Sequence, residues 1–164
     1  MFSAGYFMYL CIRGFGLRPL TALVTGTAYA SAPTLMTFIY AGQDSKMLVI
    51  ALFPLMVWGL HRGLETCRPV YFMVMALSVG AGIFTPHLQL VFYALWGLGI
   101  IFIFSVVAYY RKESDTGAAV RRSWMSAGAI CLGLAVGSVG VFPAYWYTTT
   151  ESRRAGEQGE GVGI

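Results

Sequence analysis

The sequence predicts an all-α fold, a polytopic bundle of transmembrane helices. Of its 164 residues, 57% are hydrophobic and only 11% are charged, whereas soluble domains carry about a quarter charged residues. The apolar runs also lack the alternating polarity of barrel strands. Because a bilayer has no water to satisfy exposed backbone groups, such runs form helices. We expect about five full spans plus a partial one at the N-terminus.

Six apolar runs follow one another along the chain. The first, residues 1–12, is shorter than the roughly 20 residues that a span requires. The second, residues 20–40, is interrupted by Pro33, which predicts either a kinked span or a span followed by a short interfacial helix. The other four runs cover residues 47–60, 70–84, 88–109 and 124–142, and Pro143 is expected to end the last.

Small residues within these runs indicate how the helices pack. Gly133 and Gly137 are four residues apart, and Gly80 and Gly82 lie in the fourth run. Such glycines allow two membrane helices to approach closely. The three cysteines form no CxxC pair, and Cys11 and Cys131 fall in apolar runs, so we expect buried thiols and no metal–thiolate site.

The basic residues predict the orientation. Eight of the 11 lie after the first, third and fifth runs, and the remaining three lie on the opposite side. The positive-inside rule therefore puts the first group in the cytoplasm, and this topological role also explains the net charge of +4 without a nucleic-acid partner. His61 is interpreted, like Arg62 beside it, as a topology signal only. The first group is Arg13, Arg18, Arg62, Arg68, Arg111, Lys112, Arg121 and Arg122; the second is Lys46, Arg153 and Arg154.

Three polar clusters then share the outer face. The first cluster is residues 42–46, the second is residues 85–89, and the third is residues 147–154. Each lies at the end of a long apolar run, and segments that converge at one face of a membrane can form one site. The polar clusters are therefore the candidate functional residues of this chain.

Each cluster has a functional and a structural interpretation. Lys46 is suited to binding a phosphate, and Asp44 to acting as a base or holding a metal, but both also suit a solvated loop at a helix start. His87 precedes a long apolar run, and an ionisable residue near membrane depth is a functional candidate; it is otherwise a polar loop residue. The third cluster follows an aromatic belt, so Arg153 can instead contact lipid headgroups.

At these same residues the sequence resembles the YfhO-type bacterial membrane proteins, which are related to the GT-C glycosyltransferases. The similarity extends over residues 15–156. This chain has Gln43 where the family often has His, Leu88 where it has Pro, and Ala155 in place of a glycine. The stretches that carry the resemblance are Gly26–Ala30, Tyr40–Met47, Ala51–Leu55, Pro86–Tyr93 and Glu151–Arg153.

The resemblance implies a transferase that takes a sugar from a polyprenyl-phosphate donor at the outer face of a bacterial inner membrane. Lys46 and Arg153 would then bind the donor phosphate. Asp44 and His87 would be catalytic and would position an acceptor hydroxyl or a divalent metal ion, whose identity is unknown. The supporting residues would be Gln43, Gln89, Glu151 and Ser152.

The same resemblance implies an incomplete chain. Family members are several times longer and carry a catalytic acidic loop before the second run. We therefore expect an internal or truncated piece, inactive by itself, with a transmembrane domain at residues 1–147. Residues 148–164 would form a polar extracytoplasmic tail, disordered at its end. The alternative function is a non-catalytic accessory or scaffold subunit; a transporter ranks last, because no charge lies inside the second to sixth runs.

Overall fold

The structure, a computed structural model, describes the backbone of residues 1–85, 87–112 and 116–150. Within these ranges the chain is helical and contains no strand, which confirms the all-α prediction. Short turns connect helices at residues 15–18, 31–32, 41–43 and 67–68. The seven helices are α1 (Phe2–Gly14), α2 (Pro19–Ala30), α3 (Pro33–Tyr40), α4 (Asp44–Thr66), α5 (Pro69–Ile83), α6 (Leu88–Lys112) and α7 (Thr116–Thr150).

Prolines divide the first half of the chain. Pro19, Pro33 and Pro69 stand in the first turn of α2, α3 and α5, where a missing N–H costs nothing and the fixed φ suits a helix. Pro33 therefore divides the second apolar run into two helices of 12 and 8 residues rather than kinking one span. The Ser31 hydroxyl donates back to the Thr27 carbonyl at 2.8 Å.

Pro54 lies inside α4, and a hydrogen bond from α2 pairs the backbone carbonyl that this proline leaves without a donor. Because proline has no N–H, the carbonyl of Ile50, four residues earlier, has no helical donor. The hydroxyl of Tyr29 donates to that carbonyl at 2.8 Å. A polar group that the helix leaves unsatisfied in an apolar setting is thus paired by a neighbouring helix.

Helix α4 is the centre of the bundle and packs against α1, α5 and α6. Its buried residues include Met56 and Leu60. A Cβ at Gly14 would meet the Trp58 ring, whereas Phe53 lies against Gly97 of α6. Val49 and Ile50, early in α4, line one hollow with Leu90 and Tyr93, early in α6, so these two helices run parallel.

Helices α5 and α7 form the closest pair. A Cβ at Gly133 would lie 2.6 Å from the carbonyl oxygen of Ala76, and one at Gly137 would lie 2.5 Å from Cβ of Ile83. The backbones therefore approach as closely as the glycines allow, which confirms the packing predicted for Gly133 and Gly137. The contacts advance along both helices together, so α5 and α7 are also parallel.

Three helices of the described residues are long and apolar enough to cross a membrane, at Ser45–Thr66, Leu88–Arg111 and Thr116–Tyr147. The expected count of about five is therefore not confirmed. Helix α5 has 15 residues, or about 22 Å at 1.5 Å per residue, against a hydrocarbon core of roughly 30 Å. Proline also leaves α2 and α3 short.

Helix α6 shows most clearly what surrounds the bundle. Its most apolar stretch of 18 residues has a mean hydropathy of 2.4, yet only 11% of that stretch is buried by the rest of the chain. Phe104 is 70% exposed and Ile103 is 61% exposed. Large apolar patches of this kind mark contact with a membrane or with another protein. Together with the three long apolar helices, they indicate an integral membrane protein.

Helix α7 does not end where the sequence predicted. It includes Pro143 and continues to Thr150, so the expectation that Pro143 ends the last run is wrong. Proline bends a membrane helix without ending it where its surroundings re-satisfy the freed carbonyl. At 35 residues, α7 is about 50 Å long.

Candidate functional site

The first and second polar clusters lie at one end of the bundle. The first stands at the start of α4 and the second at the start of α6, and these two helices are parallel. Val49 and Ile50 of α4 line the same hollow as Leu90 and Tyr93 of α6. We call this the polar-cluster end.

In the first cluster, Gly42 turns the chain with a φ of 66° and Gln43 precedes the first residue of α4. The side chain of Gln43 makes no capping hydrogen bond to the helix. Lys46 is half-buried, and its Nζ lies 5.6 Å from the centroid of the Phe38 ring. Asp44 is the first residue of α4, but its side chain lies outside the described part. The ammonium of Lys46 is therefore held near the helix start by an aromatic contact.

In the second cluster, two polar residues are held by bonds within the chain. The buried Thr85 hydroxyl donates to the Gly82 carbonyl at 2.7 Å, and Gln89 donates through Nε2 to the Tyr93 hydroxyl at 3.3 Å. His87 is half-buried, and its carbonyl accepts the first backbone bonds of α6. Among the described residues, no hydrogen bond or ion pair links the side chains of His87 or Gln89 to those of the first cluster.

An apolar hollow lies just below both clusters. Its volume is about 240 Å³. Two of its lining residues are joined by the hydrogen bond from the Tyr29 hydroxyl to the Ile50 carbonyl. The hollow places an apolar surface between α2, α4 and α6, next to the two polar clusters. It is lined by Tyr29, Val49, Ile50, Phe53, Leu90, Tyr93 and Ala94.

The third cluster is described only in part. Gly140 of α7 lies against Phe84 at the end of α5, so α7 ends at the polar-cluster end. Thr149 and Thr150 donate to carbonyls of the preceding turn. Glu151, Ser152 and Arg153, which the sequence singles out, lie outside the described residues.

The opposite end carries a site that the sequence interpretation missed. Glu65 lies 3.5 Å from His61 Nε2 and 3.1 Å from Arg62 Nη1. Arg122 of α7 donates to the carbonyls of Leu64 and Glu65 at 3.0 and 3.3 Å. The spacing of His61 and Glu65 on one helix face is readable from the sequence, whereas no local pattern relates Arg122 to residues 57 positions earlier.

The cysteines and possible metal ligands are dispersed. Cys11 is buried, as expected, but Cys131 is exposed on α7, so the expectation of burial is wrong there. Cys67 lies 3.8 Å from the sulfur of Met125. No group of three or more His, Cys, Asp and Glu residues comes together within the ranges 1–85, 87–112 and 116–150.

Comparison with protein-family models, with curated proteins and with solved structures finds no match for this chain. The resemblance to YfhO-type proteins therefore stays a prediction, carried by the motifs at residues 40–47 and 86–93. Function has to be inferred from the residues that the fold brings together.

Proposed function

We propose that this chain is the membrane-embedded part of a GT-C-like glycosyltransferase that binds a polyprenyl-phosphate-linked sugar at the polar-cluster end. The observation that supports this proposal is the parallel packing of α4 and α6, which brings Lys46 and His87 to the same end. An apolar hollow lies below them. A lipid phosphate needs this combination, because its head is anionic and its tail is a hydrocarbon.

Lys46 is proposed to bind the donor phosphate. The ammonium is a compact point charge with three donors, and the Phe38 ring holds it near the start of α4. A fixed cation that neutralises the departing phosphate lowers the barrier to sugar transfer. Arg153 is proposed to add a second cation from the chain that follows α7.

His87 and Asp44 are proposed to orient the acceptor hydroxyl. An imidazole is suited to general-base work, and the first residue of α4 is a favourable position for a carboxylate because of the helix dipole. Asp44 and His87 would be the residues that hold a divalent metal, which would supply Lewis-acid assistance. The supporting polar residues are Gln43, Gln89, Glu151 and Ser152, and the cytoplasmic membrane of a bacterium is the proposed location.

A second candidate function is that of a non-catalytic accessory subunit. It is favoured by the end of α7, which continues for ten residues beyond Gly140, roughly 15 Å at 1.5 Å per residue. This segment carries the exposed side chains of Phe142, Tyr145 and Trp146. An aromatic surface projecting from a bundle suits a protein partner as well as the membrane interface.

The test is binding of a polyprenyl phosphate to the full chain in phosphatidylcholine nanodiscs. Lys46→Ala should weaken binding at least tenfold, because it removes the described cation of the polar-cluster end. Lys112→Ala is the matched control. It removes the only other lysine, which is the last residue of α6 at the opposite end. It should leave the affinity unchanged.

Two results separate the candidates. Equal binding by the wild type and Lys46→Ala contradicts the donor-site proposal. If polyprenyl phosphate does not bind and the chain instead co-purifies with one partner at fixed stoichiometry, it is an accessory subunit. Loss of that partner on truncating α7 after Phe142 would then identify the docking surface.

A further inference from the structure

The end of the bundle opposite the polar clusters contains the largest described cleft. Its volume is about 850 Å³, and it lies where α6 separates from α4 below the contact of Phe53 with Gly97. Basic residues surround this end, so we call it the basic end. The cleft is lined by Phe15, His61, Leu64, Glu65, Phe104, Ser105, Ala108, Tyr109 and Arg122.

Arg122 is the cation of this cleft and is held rigidly. Its Nη1 donates to the Leu64 and Glu65 carbonyls at the end of α4, and its guanidinium carbon lies 4.8 Å from the centroid of the Tyr109 ring. Its Nε is buried and has no hydrogen-bond partner. Because Nε is closed off from the cleft, a molecule bound there would contact the guanidinium through its Nη groups.

The charges around Arg122 favour an anion. Glu65 is the one carboxylate among the described residues that line the cleft. It lies within ion-pair distance of Arg62 and His61, so its charge is compensated on its own helix. None of the described residues of the cleft neutralises Arg122, whose guanidinium lies over the Tyr109 ring and donates to neutral carbonyls. An incoming phosphate oxygen therefore meets a net positive site.

The walls of the cleft favour a lipid over a free anion. Phe104 is 70% exposed and stands on the apolar outer face of α6, and Ala108 is exposed one turn further along. Phe15 stacks on His61 with ring centroids 4.2 Å apart. The polar interior of the cleft is thus continuous with the surface that faces the membrane.

We propose that the cleft at the basic end binds the phosphate headgroup of an anionic phospholipid, and that Arg122 is the residue that binds the phosphate. The first carbons of the lipid lie along Phe104 and Ala108. Basic pockets between membrane helices bind anionic headgroups in this way, and guanidinium groups form paired bonds with phosphate oxygens. The lipid bridges α4, α6 and α7 where the protein alone leaves a gap. This site is independent of the donor site proposed for the polar-cluster end.

The test measures lipids retained by the full chain in detergent, using native mass spectrometry. Phosphatidylglycerol and phosphatidylcholine with the same acyl chains are titrated separately. The wild type should bind phosphatidylglycerol at least tenfold more tightly, and Arg122→Gln should abolish the preference. Arg121→Gln is the matched control, because it removes the same charge from the adjacent, exposed residue of α7, and it should retain the preference.

A second variant keeps the proposal testable if Arg122→Gln loosens the fold. Ser105→Trp fills the cleft without touching the Arg122 hydrogen bonds and should also abolish the preference. A photoreactive headgroup should crosslink to the wild type at residues 61–65 and 122. The site is disproved if the wild type shows no preference, if Ser105→Trp retains it, or if millimolar inorganic phosphate displaces the lipid, which would indicate a free-anion site.

Discussion

Gly97 of α6 lies against the ring of Phe53 of α4, so that a Cβ at Gly97 would be 3.3 Å from the ring carbon Cζ. This contact sets the register between two parallel helices. On one side of this contact the starts of α4 and α6 lie together at the polar-cluster end, and on the other side the cleft opens at the basic end. The contact therefore lies between the two proposed sites.

A larger residue at position 97 should separate these helices. Gly97→Val adds an isopropyl group whose first carbon alone would lie 3.3 Å from the ring, and we expect a loss of about 1–3 kcal/mol, typical of overpacking. Gly99→Val is the matched control, since nothing lies within 4 Å of a Cβ at Gly99. Reversible unfolding in mixed micelles measures both; equal losses would contradict the described register.

The approach of α5 to α7 gives a second prediction. A Cβ at Gly133 would lie 2.6 Å from the Ala76 carbonyl oxygen, which is backbone and cannot move aside cheaply. We expect Gly133→Ala to cost about 1–3 kcal/mol of unfolding free energy. Gly128→Ala, on the same helix and without a neighbour within 4 Å, should cost nothing, because alanine is the better helix former. Thermal unfolding in detergent will distinguish the two variants; tolerance of alanine at 133 would disprove the close approach.

The bond between Tyr29 and Ile50 gives a third prediction. Tyr29→Phe removes the hydroxyl donor and should cost about 1 kcal/mol. Its cost should fall in a Pro54→Ala background, because residue 54 then supplies the N–H that the Ile50 carbonyl lacks. A double-mutant cycle of unfolding free energies measures this coupling. Tyr40→Phe is the control, since Tyr40 is 97% exposed. Additive costs would show that Pro54 is not the reason for the bond.

Much of the fold was readable from local pattern. The apolar runs predicted the helices, and Gly133 and Gly137 predicted a close approach to another helix, which the structure identifies as α5. Proline was harder to interpret: Pro33 starts a short helix of its own, one of the two alternatives predicted, whereas Pro143 does not end a helix as expected. A proline can begin, bend or end a helix, and only the surroundings of the freed carbonyl decide among these outcomes.

The two candidate sites differ in how far the sequence could indicate them. Lys46 and His87 stand at the ends of apolar runs, so the alternation of spans predicted that they share one side. Arg122 could not be recognised, because its partners at Leu64 and Glu65 are distant in sequence. The positive-inside rule already accounted for a basic residue at position 122. A side chain can serve both roles, and only the fold shows the second.

Side-specific cysteine labelling tests the central claim most directly, which is that a membrane separates the polar-cluster end from the basic end. Single cysteines are placed at Gln43, Gln89, Leu17 and Val120 in a chain lacking Cys11, Cys67 and Cys131. In intact cells, a membrane-impermeant maleimide should label positions 43 and 89 and should reach 17 and 120 only after lysis. Labelling of 43 and 89 from opposite sides would contradict the account.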